Sequence, residues 1–270
     1  MTLSNNEKAR LKTKYGNWAI VTGASSGIGL ELACQLASAG LNLLISSRDE
    51  KRLKEVESQL KAIASIEVKI VAADVAEAAG TALIIQAAQG LDVGLLVASA
   101  GYGTSGKFMD NTLDDEINML RVNCEALLAL THHYSRQFAK QRRGGIILMS
   151  SMVSFQGTPY AANYAATKAY VQTLAEGLAE EMKPYGVDIL AAAPGPVATG
   201  FSSRANMKMK MTLNPAEVGV PILKALGRKT TVLPGFITKL IVYSLSIIPR
   251  WLKIKMMGVA MGGMTAHQRK

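Results

Sequence analysis

The sequence predicts an α/β protein with a single doubly wound parallel sheet in a three-layer α/β/α arrangement and about seven strands. Two observations support this fold class. Short apolar runs of strand length alternate along the chain with longer segments of helical period. The connection after the first apolar run, residues 22–29, is rich in glycine and serine, as is typical of a nucleotide-binding turn. We therefore expect a Rossmann-like domain that spans residues 1–270.

The strands are predicted from near-continuous apolar runs, because parallel strands are buried on both faces. They are expected at residues 18–21, 41–45, 66–72, 93–98, 145–149 and 187–192, with 231–233 as a candidate seventh. The helices are expected at residues 27–40, 50–64, 78–89, 113–141 and 163–183. Ile28, Leu32 and Leu36 illustrate the four-residue spacing of the first of these helices. Strict alternation of strand and helix predicts right-handed crossovers, and no linker divides the chain.

Composition excludes several classes of protein. The hydrophobic content of 49% argues against disorder, and 270 residues suffice for one large core. Cys34 and Cys124 lack C-x-x-C spacing, and the three histidines show no ligand pattern, so we expect no disulfide scaffold and no metal site. Residues 1–15 are polar, without the apolar core of a signal peptide, and Lys239 interrupts the longest apolar run. These features favour a cytoplasmic protein.

Basic residues are concentrated near the carboxyl terminus. After residue 200 the chain has twelve lysines and arginines and one acid, Glu217, which accounts for the formal net charge of +10. This asymmetry favours an anionic membrane surface over nucleic acid as a partner.

Tyr164 and Lys168 are four residues apart in a predicted helix and would share one face. A free tyrosine has a pKa near 10, and an ammonium about 4 Å away would favour the phenolate by roughly 4 kcal/mol. Such a phenol would serve as a general acid or base. A tyrosine beside a solvated lysine is the alternative interpretation of the pair alone. Tyr160 and Tyr170 compete for the role, but neither has a lysine four residues on.

The turn at residues 22–29 has the spacing G-x-x-x-G-x-G. Its glycines allow a backbone to approach a pyrophosphate at the amino terminus of the next helix. An ordinary glycine-rich connection is the alternative.

These motifs together resemble the short-chain dehydrogenase/reductase family between residue 18 and about residue 200. By that resemblance, Asn123, Ser151, Tyr164 and Lys168 match the catalytic tetrad. The residues that would bind the cofactor are Gly23, Ser25, Ser26, Gly27, Ile28, Gly29, Arg48, Asp74, Val75, Ala100, Gly101, Tyr164, Lys168, Pro194, Gly195, Val197 and Thr199. One departure is Ala98-Ser99, where the family has two asparagines, and we expect a less well braced loop there.

The resemblance implies hydride transfer between a nicotinamide and a ketone or secondary alcohol. Tyr164 would be the general acid or base and Lys168 would hold the ribose. Ser151 would bind the carbonyl oxygen, although it could instead cap the next segment. Asn123 would hold a water behind Lys168, or could simply be a polar residue inside a helix. The family also implies a homo-oligomer, a dimer or tetramer. Residues 14–23 resemble the long-chain 3-oxoacyl and steroid reductase branch.

The choice between NAD and NADP depends on the end of the second strand. Asp49 lies about twenty residues after the turn, where an acid binds the ribose hydroxyls of NAD. The family's discriminating acid, however, directly follows the strand, where this chain has Ser47 and then Arg48. Since an arginine pairs with the 2′-phosphate, we expect NADP(H) in preference to NAD(H).

The region 200–270 is predicted to be a variable lid and a basic, apolar extension. The lid is expected at residues 201–211, where Met207, Met209 and Met211 alternate with Lys208 and Lys210. Flexible thioethers suit an adaptable apolar pocket. Residues 236–257 mix apolar side chains with cations and could lie in a membrane interface, pack on the core or form an oligomer contact. Two alternatives to an enzyme are a non-catalytic dinucleotide-binding regulator and a peripheral membrane protein on the same fold. A regulator would typically have lost the tyrosine or the lysine.

Overall fold

The computed structural model describes residues 1–209 and 211–268. Lys210 of the predicted lid, together with residues 269–270, lies outside this range. Within it, seven parallel strands form one sheet in the order β3-β2-β1-β4-β5-β6-β7. The strands are β1 (Trp18–Thr22), β2 (Asn42–Ser47), β3 (Val68–Ala72), β4 (Val93–Ala98), β5 (Gly144–Met149), β6 (Val187–Ala192) and β7 (Thr231–Val232). The predicted fold class, including the short seventh strand, is confirmed.

Helices cover both faces of this sheet. They are α1 (Asn5–Tyr15), α2 (Gly27–Ser38), α3 (Glu50–Ile63), α4 (Ala78–Ala87), α5 (Leu113–Leu120), α6 (Ala126–Gln141), α7 (Ala162–Met182), α8 (Phe201–Arg204), α9 (Pro215–Ala225), α10 (Phe236–Ser246) and α11 (Arg250–Met264). Leu32 and Leu36 of α2 belong to one buried apolar cluster. Phe138 of α6 and Val171 of α7 belong to a second cluster, on the other side of the sheet. Both layers expected of a doubly wound sheet are therefore present.

Helix α1 was not predicted from the sequence. Ser4 caps it by accepting a hydrogen bond from the Glu7 amide, and only Leu11 and Tyr15 are buried. Two apolar positions in eleven residues give too weak a periodicity to recognise. The helix is held instead by tertiary contacts, since the Tyr15 hydroxyl donates to Asp188 at 2.7 Å.

The helix expected at residues 113–141 is interrupted in its middle. Residues 121–125 form a π-helical turn between α5 and α6, in which the Ala126 amide bonds to the Arg121 carbonyl five residues earlier. Such a turn contains one more residue than an α-helical turn and is frequent at functional sites. It carries Asn123, whose side chain is completely buried.

The lid residues before 210 and the helices α10 and α11 fold over the carboxyl ends of the strands, whereas α9 and β7 belong to the layers of the sheet. A third apolar cluster joins Met207 of the lid and Met257 and Met261 of α11 to Tyr102 and Tyr164. Hydrogen bonds connect the same parts, because the Lys208 amide donates to the Met264 carbonyl at 3.0 Å. Within residues 1–209 and 211–268, no helix has both the length and the apolar character needed to cross a bilayer.

Candidate active site

One large cavity lies at the carboxyl edge of the sheet, where ligands bind in doubly wound folds. Its volume is about 1280 Å³. Pockets that hold one small ligand are typically roughly 300–1,000 Å³, so this cavity has room for more than one. Every residue predicted to bind the cofactor lines it, as do Ser151, Tyr164 and Lys168. Asn123 does not line it and lies behind its wall.

The glycine turn fits a dinucleotide by its geometry. Gly23 and Gly27 have φ angles of +67° and +60°, which side-chain-bearing residues rarely adopt. A Cβ on Gly23 would lie 2.8 Å from the Ala100 backbone, and one on Gly29 would overlap the Gly23 carbonyl. These two positions exclude a side chain because the protein's own backbone approaches them, so glycine is required for the turn to pack closely against the loop after β4.

Helix α2 begins in this turn and contributes its amino terminus to the cavity wall through Gly27, Ile28 and Gly29. Ser26 is the N-cap residue, and in the part of the chain that the structure describes its side chain makes no capping hydrogen bond. The positive end of the helix is therefore suited to an anionic group such as pyrophosphate.

The far end of the cavity contains Arg48. Its guanidinium lies 3.8 Å from the Asp74 carboxylate, and both side chains are about half exposed. Asp49 also reaches the cavity, but its carboxylate caps α3 by accepting a hydrogen bond from the Arg52 amide at 3.0 Å. Its position about twenty residues after the turn is thus explained by a capping role. Arg52, which sequence reasoning missed, donates to the Ser25 carbonyl at 3.2 Å.

Tyr164 and Lys168 lie on the buried face of α7, as their spacing predicts. The Lys168 ammonium lies 5.8 Å from the centroid of the Tyr164 ring and donates to the Met149 carbonyl at 2.8 Å. Burial raises the pKa of Tyr164 to about 12, and its hydrogen bond with Ser151 offsets this only in part. Burial also lowers the pKa of Lys168 to about 8.

The expectation that Lys168 would lower the pKa of the phenol is therefore corrected. The ammonium group faces a backbone carbonyl, and desolvation of the phenolate outweighs the favourable interactions of the charged form. At neutral pH the pair consists of a protonated phenol and a largely protonated amine.

Ser150 and Ser151 are distinguished by their hydrogen bonds. The Ser150 hydroxyl donates to the Lys168 carbonyl at 3.1 Å, so it serves to tie β5 to α7. Ser151 is the N-cap of a short 3₁₀ turn and accepts from the Val153 amide at 3.4 Å. It also hydrogen bonds with Tyr164. Ser151 therefore caps the turn and also lies beside the Tyr164 phenol.

Asn123 connects three parts of the site. Its amide group donates to the Tyr102 carbonyl at 2.8 Å and to the Thr167 hydroxyl at 3.0 Å. Its oxygen accepts from the Tyr102 amide at 3.1 Å. These bonds hold the loop after β4 against α7, close to Lys168.

The loop in which Ala98 and Ser99 replace the asparagines of the family is braced by a different residue. The hydroxyl of Thr22, at the end of β1, accepts hydrogen bonds from the Ser99 and Ala100 amides, both at 3.1 Å. The backbone that was expected to be less well braced thus has partners from the neighbouring strand.

Several residues at the other end of the cavity were not identified as site residues from the sequence. The Phe201 ring lies 5.3 Å from that of Tyr164, and Arg204 stacks over Tyr102 at 4.2 Å. Met257, Met261 and Met264 of α11 complete the apolar wall. The alternation of methionine and lysine indicated the lid, but the position of α11 depends on tertiary packing, for which the sequence has no local signal.

Comparison with known proteins agrees with this geometry. Residues 17–210 match the family model described as short chain dehydrogenase. The chain is similar to a 7beta-hydroxysteroid dehydrogenase of Collinsella aerofaciens, with 30% identity over 83% of this chain and 88% of the relative. It is also similar to a very-long-chain 3-oxoacyl-CoA reductase of Pyricularia oryzae, with 35% identity over 65% of this chain and 55% of the relative. These two relatives confirm the predicted steroid and oxoacyl reductase branch.

A solved structure supports the same conclusion. The short-chain dehydrogenase from Sphingobium yanoikuyae in complex with NADPH superposes with a TM-score of 0.78 at 26% identity, covering 87% of this chain and 97% of that one. The match of the family model extends over more than half of the sequence. The chain therefore belongs to the short-chain dehydrogenase family and is an oxidoreductase of the NAD(P)-dependent type.

Proposed function

We propose that this protein is an NADP-dependent oxidoreductase that interconverts a ketone and a secondary alcohol on an apolar, lipid-like substrate. The main supporting observation is that one cavity joins the glycine turn, Ser151, Tyr164 and Lys168 to a methionine-lined end. In this proposal residues 200–270 form the substrate lid and an extension of a single catalytic domain.

When bound, the nicotinamide cofactor supplies or accepts the hydride. Tyr164, which is protonated at neutral pH because its pKa is about 12, gives its proton to the carbonyl oxygen during reduction. Ser151 donates a hydrogen bond to the same oxygen and stabilises the developing negative charge. Lys168, whose ammonium group is held by the Met149 carbonyl, binds the ribose of the cofactor. Asn123 positions the loop and helix around Lys168 through its three hydrogen bonds.

The NADP preference rests on Arg48. Its guanidinium lines the cavity directly after β2 and is about half exposed, so it can pair with a 2′-phosphate. The carboxylate of Asp49, which would repel that phosphate, is engaged as a helix cap. The Sphingobium yanoikuyae structure, with its NADPH, supports the same choice.

The apolar substrate is supported by the wall around Tyr164. Met152, Phe201, Met207, Met257 and Met261 all line this part of the cavity. Methionine adapts to irregular apolar ligands, which suits a lipid-like ketone. The relatives whose names refer to hydroxysteroids and long acyl chains point to the same class.

A cofactor and ketone screen tests the proposal. Purified protein should consume NADPH with apolar ketones, and NADH should be a much poorer donor. Turnover that is equal with both cofactors at low concentration would contradict the NADP assignment. If no ketone in a diverse panel is reduced while NADPH still binds, the non-catalytic dinucleotide-binding regulator would replace the enzyme.

A membrane-surface location is the second part of the proposal. Helices α10 and α11 and the connection between them expose Phe236, Ile247, Trp251 and Val259, each with more than half of its surface accessible. Lysines and arginines accompany them, and no acid follows Glu217. Such a surface suits the interface of an anionic bilayer. We further propose, from family membership, a homodimer or homotetramer, which sedimentation equilibrium would measure.

A further inference from the structure

The substrate end of the cavity carries two positive charges besides Lys168. Arg204 and Lys208 line it among methionines and other apolar side chains. The acids on the cavity wall, Asp49 and Asp74, accompany Arg48 and are thus at the opposite, adenosine end. Both residues are exposed, so they lie at the rim of this apolar end, where a cation can pair with an anionic group of a bound ligand.

Arg204 has no acidic partner within the protein as described. None of the ion pairs among residues 1–209 and 211–268 includes Arg204 or Lys208. The guanidinium is held over the Tyr102 ring, 4.2 Å from its centroid. A guanidinium can contact an aromatic face and still present the N–H groups at its edge to a carboxylate.

The ring beneath Arg204 is itself fixed. The Tyr102 hydroxyl accepts from the Asn118 amide at 2.8 Å and donates to the Asp115 carbonyl at 3.1 Å. The Tyr102 backbone amide donates to the side-chain oxygen of Asn123, and the Tyr102 carbonyl accepts from the side-chain amide group of Asn123. The platform that orients Arg204 is therefore attached to the same residue that braces the loop beside Lys168.

The position of Arg204 relative to Tyr164 follows from α8. Phe201 and Arg204 are three residues apart on this helix and so lie on neighbouring parts of one face. The Phe201 ring lies 5.3 Å from that of Tyr164. The face of α8 that carries Arg204 therefore also contacts Tyr164 through Phe201, so Arg204 belongs to the same end of the cavity as the reacting carbonyl.

We infer that Arg204 is the centre of a carboxylate-binding subsite, assisted by Lys208. The substrate is thus an apolar ketone or alcohol that carries a carboxylate remote from the reacting carbon. This inference rests on the proposed function and specifies its substrate class. Arg204 acts here as a specificity residue and takes no part in hydride or proton transfer.

Matched pairs of ligands provide the test. A long-chain oxo acid is compared with its methyl ester, and a steroid ketone with a side-chain carboxylate is compared with its methyl ester, all below their micelle concentrations. Binding to the NADP⁺-loaded protein is measured by calorimetry, and kcat/KM is measured separately with NADPH. The variants are Arg204→Gln and Arg204→Lys, with Arg136→Gln as the control, since Arg136 is an exposed arginine outside the cavity.

We expect the acid of at least one pair to bind more tightly than its ester, and Arg204→Gln to weaken acid binding by about tenfold, the effect of one lost charge-assisted hydrogen bond. Ester binding and NADPH affinity should not change. Arg204→Lys should recover part of the loss, and Arg136→Gln should have no effect.

Two outcomes would overturn the subsite. One is equal weakening of acid and ester by Arg204→Gln, and the other is weaker NADPH binding in that variant, which would assign the arginine to the cofactor. Because the calorimetric comparison does not require turnover, acid-selective binding without any reduction would instead overturn the proposed function.

Discussion

Burial dominates the electrostatics of Tyr164 and Lys168. The two side chains are on one face of α7, and the loss of water favours the neutral form of each. The pKa of the phenol rises to about 12, while that of the amine falls to about 8. The site therefore maintains a buried ammonium group near neutral pH at a cost in stability, which is typical of functional sites.

This cost leads to a prediction for Lys168→Met. The lowered pKa of the lysine corresponds to roughly 3 kcal/mol, and loss of its hydrogen bond to Met149 offsets about 1 kcal/mol. We therefore expect the variant to be inactive but about 2 kcal/mol more stable at pH 7, measured by urea unfolding.

The gain should depend on pH. Between pH 8 and pH 10.5 the unfolded chain binds more protons at Lys168 than the folded chain does, so the stability of the native protein rises with pH. The advantage of Lys168→Met should be complete below pH 8 and should shrink toward pH 10.5. Lys51→Met, at an exposed position in α3, is the control and should show no such trend. A destabilised Lys168→Met, or a gain independent of pH, would contradict the burial argument.

Arg48→Ala tests the cofactor preference at a single residue. Because the side chain is about half exposed, we expect the KM for NADPH to rise by about tenfold rather than more, with the loss of one charge-assisted contact. The KM for NADH should stay the same and is the internal control. An equal effect on both cofactors would show that Arg48 does not recognise the 2′-phosphate.

At the scale of elements, the turn between β1 and α2 tolerates little change. A Cβ on Gly29 would overlap the Gly23 carbonyl, which is backbone and cannot move aside. We expect Gly29→Ala to weaken NADPH binding by at least about tenfold and to lower stability by about 1–3 kcal/mol. Fluorescence titration with NADPH and thermal unfolding would measure both effects.

Gly177→Ala is the matched control for that substitution. Gly177 lies within α7, and a Cβ there would meet nothing within 4 Å. Alanine is the better helix former, so this variant should gain about 0.5–1 kcal/mol and bind NADPH normally. If both variants bind NADPH like the native protein, the turn does not hold the cofactor.

The elements that the sequence predicts well are those whose patterns are local. Continuous apolar runs identified the strands, and the boundaries of β6 were predicted to the residue. The π-helical turn at residues 121–125 was not predictable, because neither glycine nor proline marks an interruption of the helix there. Helices α10 and α11 were seen only as mixed apolar and basic segments, since their exposed faces obscure the helical period.

The same distinction applies to the candidate site. The cofactor end follows from short motifs, so every residue predicted there lines the cavity. The pKa of Tyr164 was not predictable, because it depends on burial, which the neighbouring Ser151 hydroxyl offsets only in part. Arg204 reaches the site through the packing of α8 on Tyr102, and neither residue belongs to a motif.

At the scale of the whole molecule, the basic region near the carboxyl terminus forms a surface that also exposes large apolar side chains. Ile247 and Trp251, in the connection between α10 and α11 and at the start of α11, are exposed by 87% and 61%. Lys253 and Lys255 follow closely, and the cavity opens beside the same helices through Ile237, Ile241 and Val259. In the proposed membrane-surface orientation, this opening would face the bilayer from which a lipid-like ketone enters.

Sedimentation with vesicles tests this surface. We expect the protein to bind vesicles that contain phosphatidylserine, to bind pure phosphatidylcholine weakly, and to dissociate as salt rises. The double variant Ile247→Glu with Trp251→Glu should lose binding but retain its reductase activity on a water-soluble ketone. If the native protein ignores both vesicle types and the double variant changes its oligomeric state, the surface is a subunit interface.

The most direct test of the account is the reduction of a ketone with NADPH by the native protein and by Tyr164→Phe. The substitution removes one hydroxyl from a buried ring and leaves the glycine turn and Arg48 untouched. The account predicts that kcat falls by a factor of about 100 or more, as expected for loss of a general acid, while the Kd for NADPH stays within about twofold of the native value. Turnover by Tyr164→Phe at the native rate would contradict it.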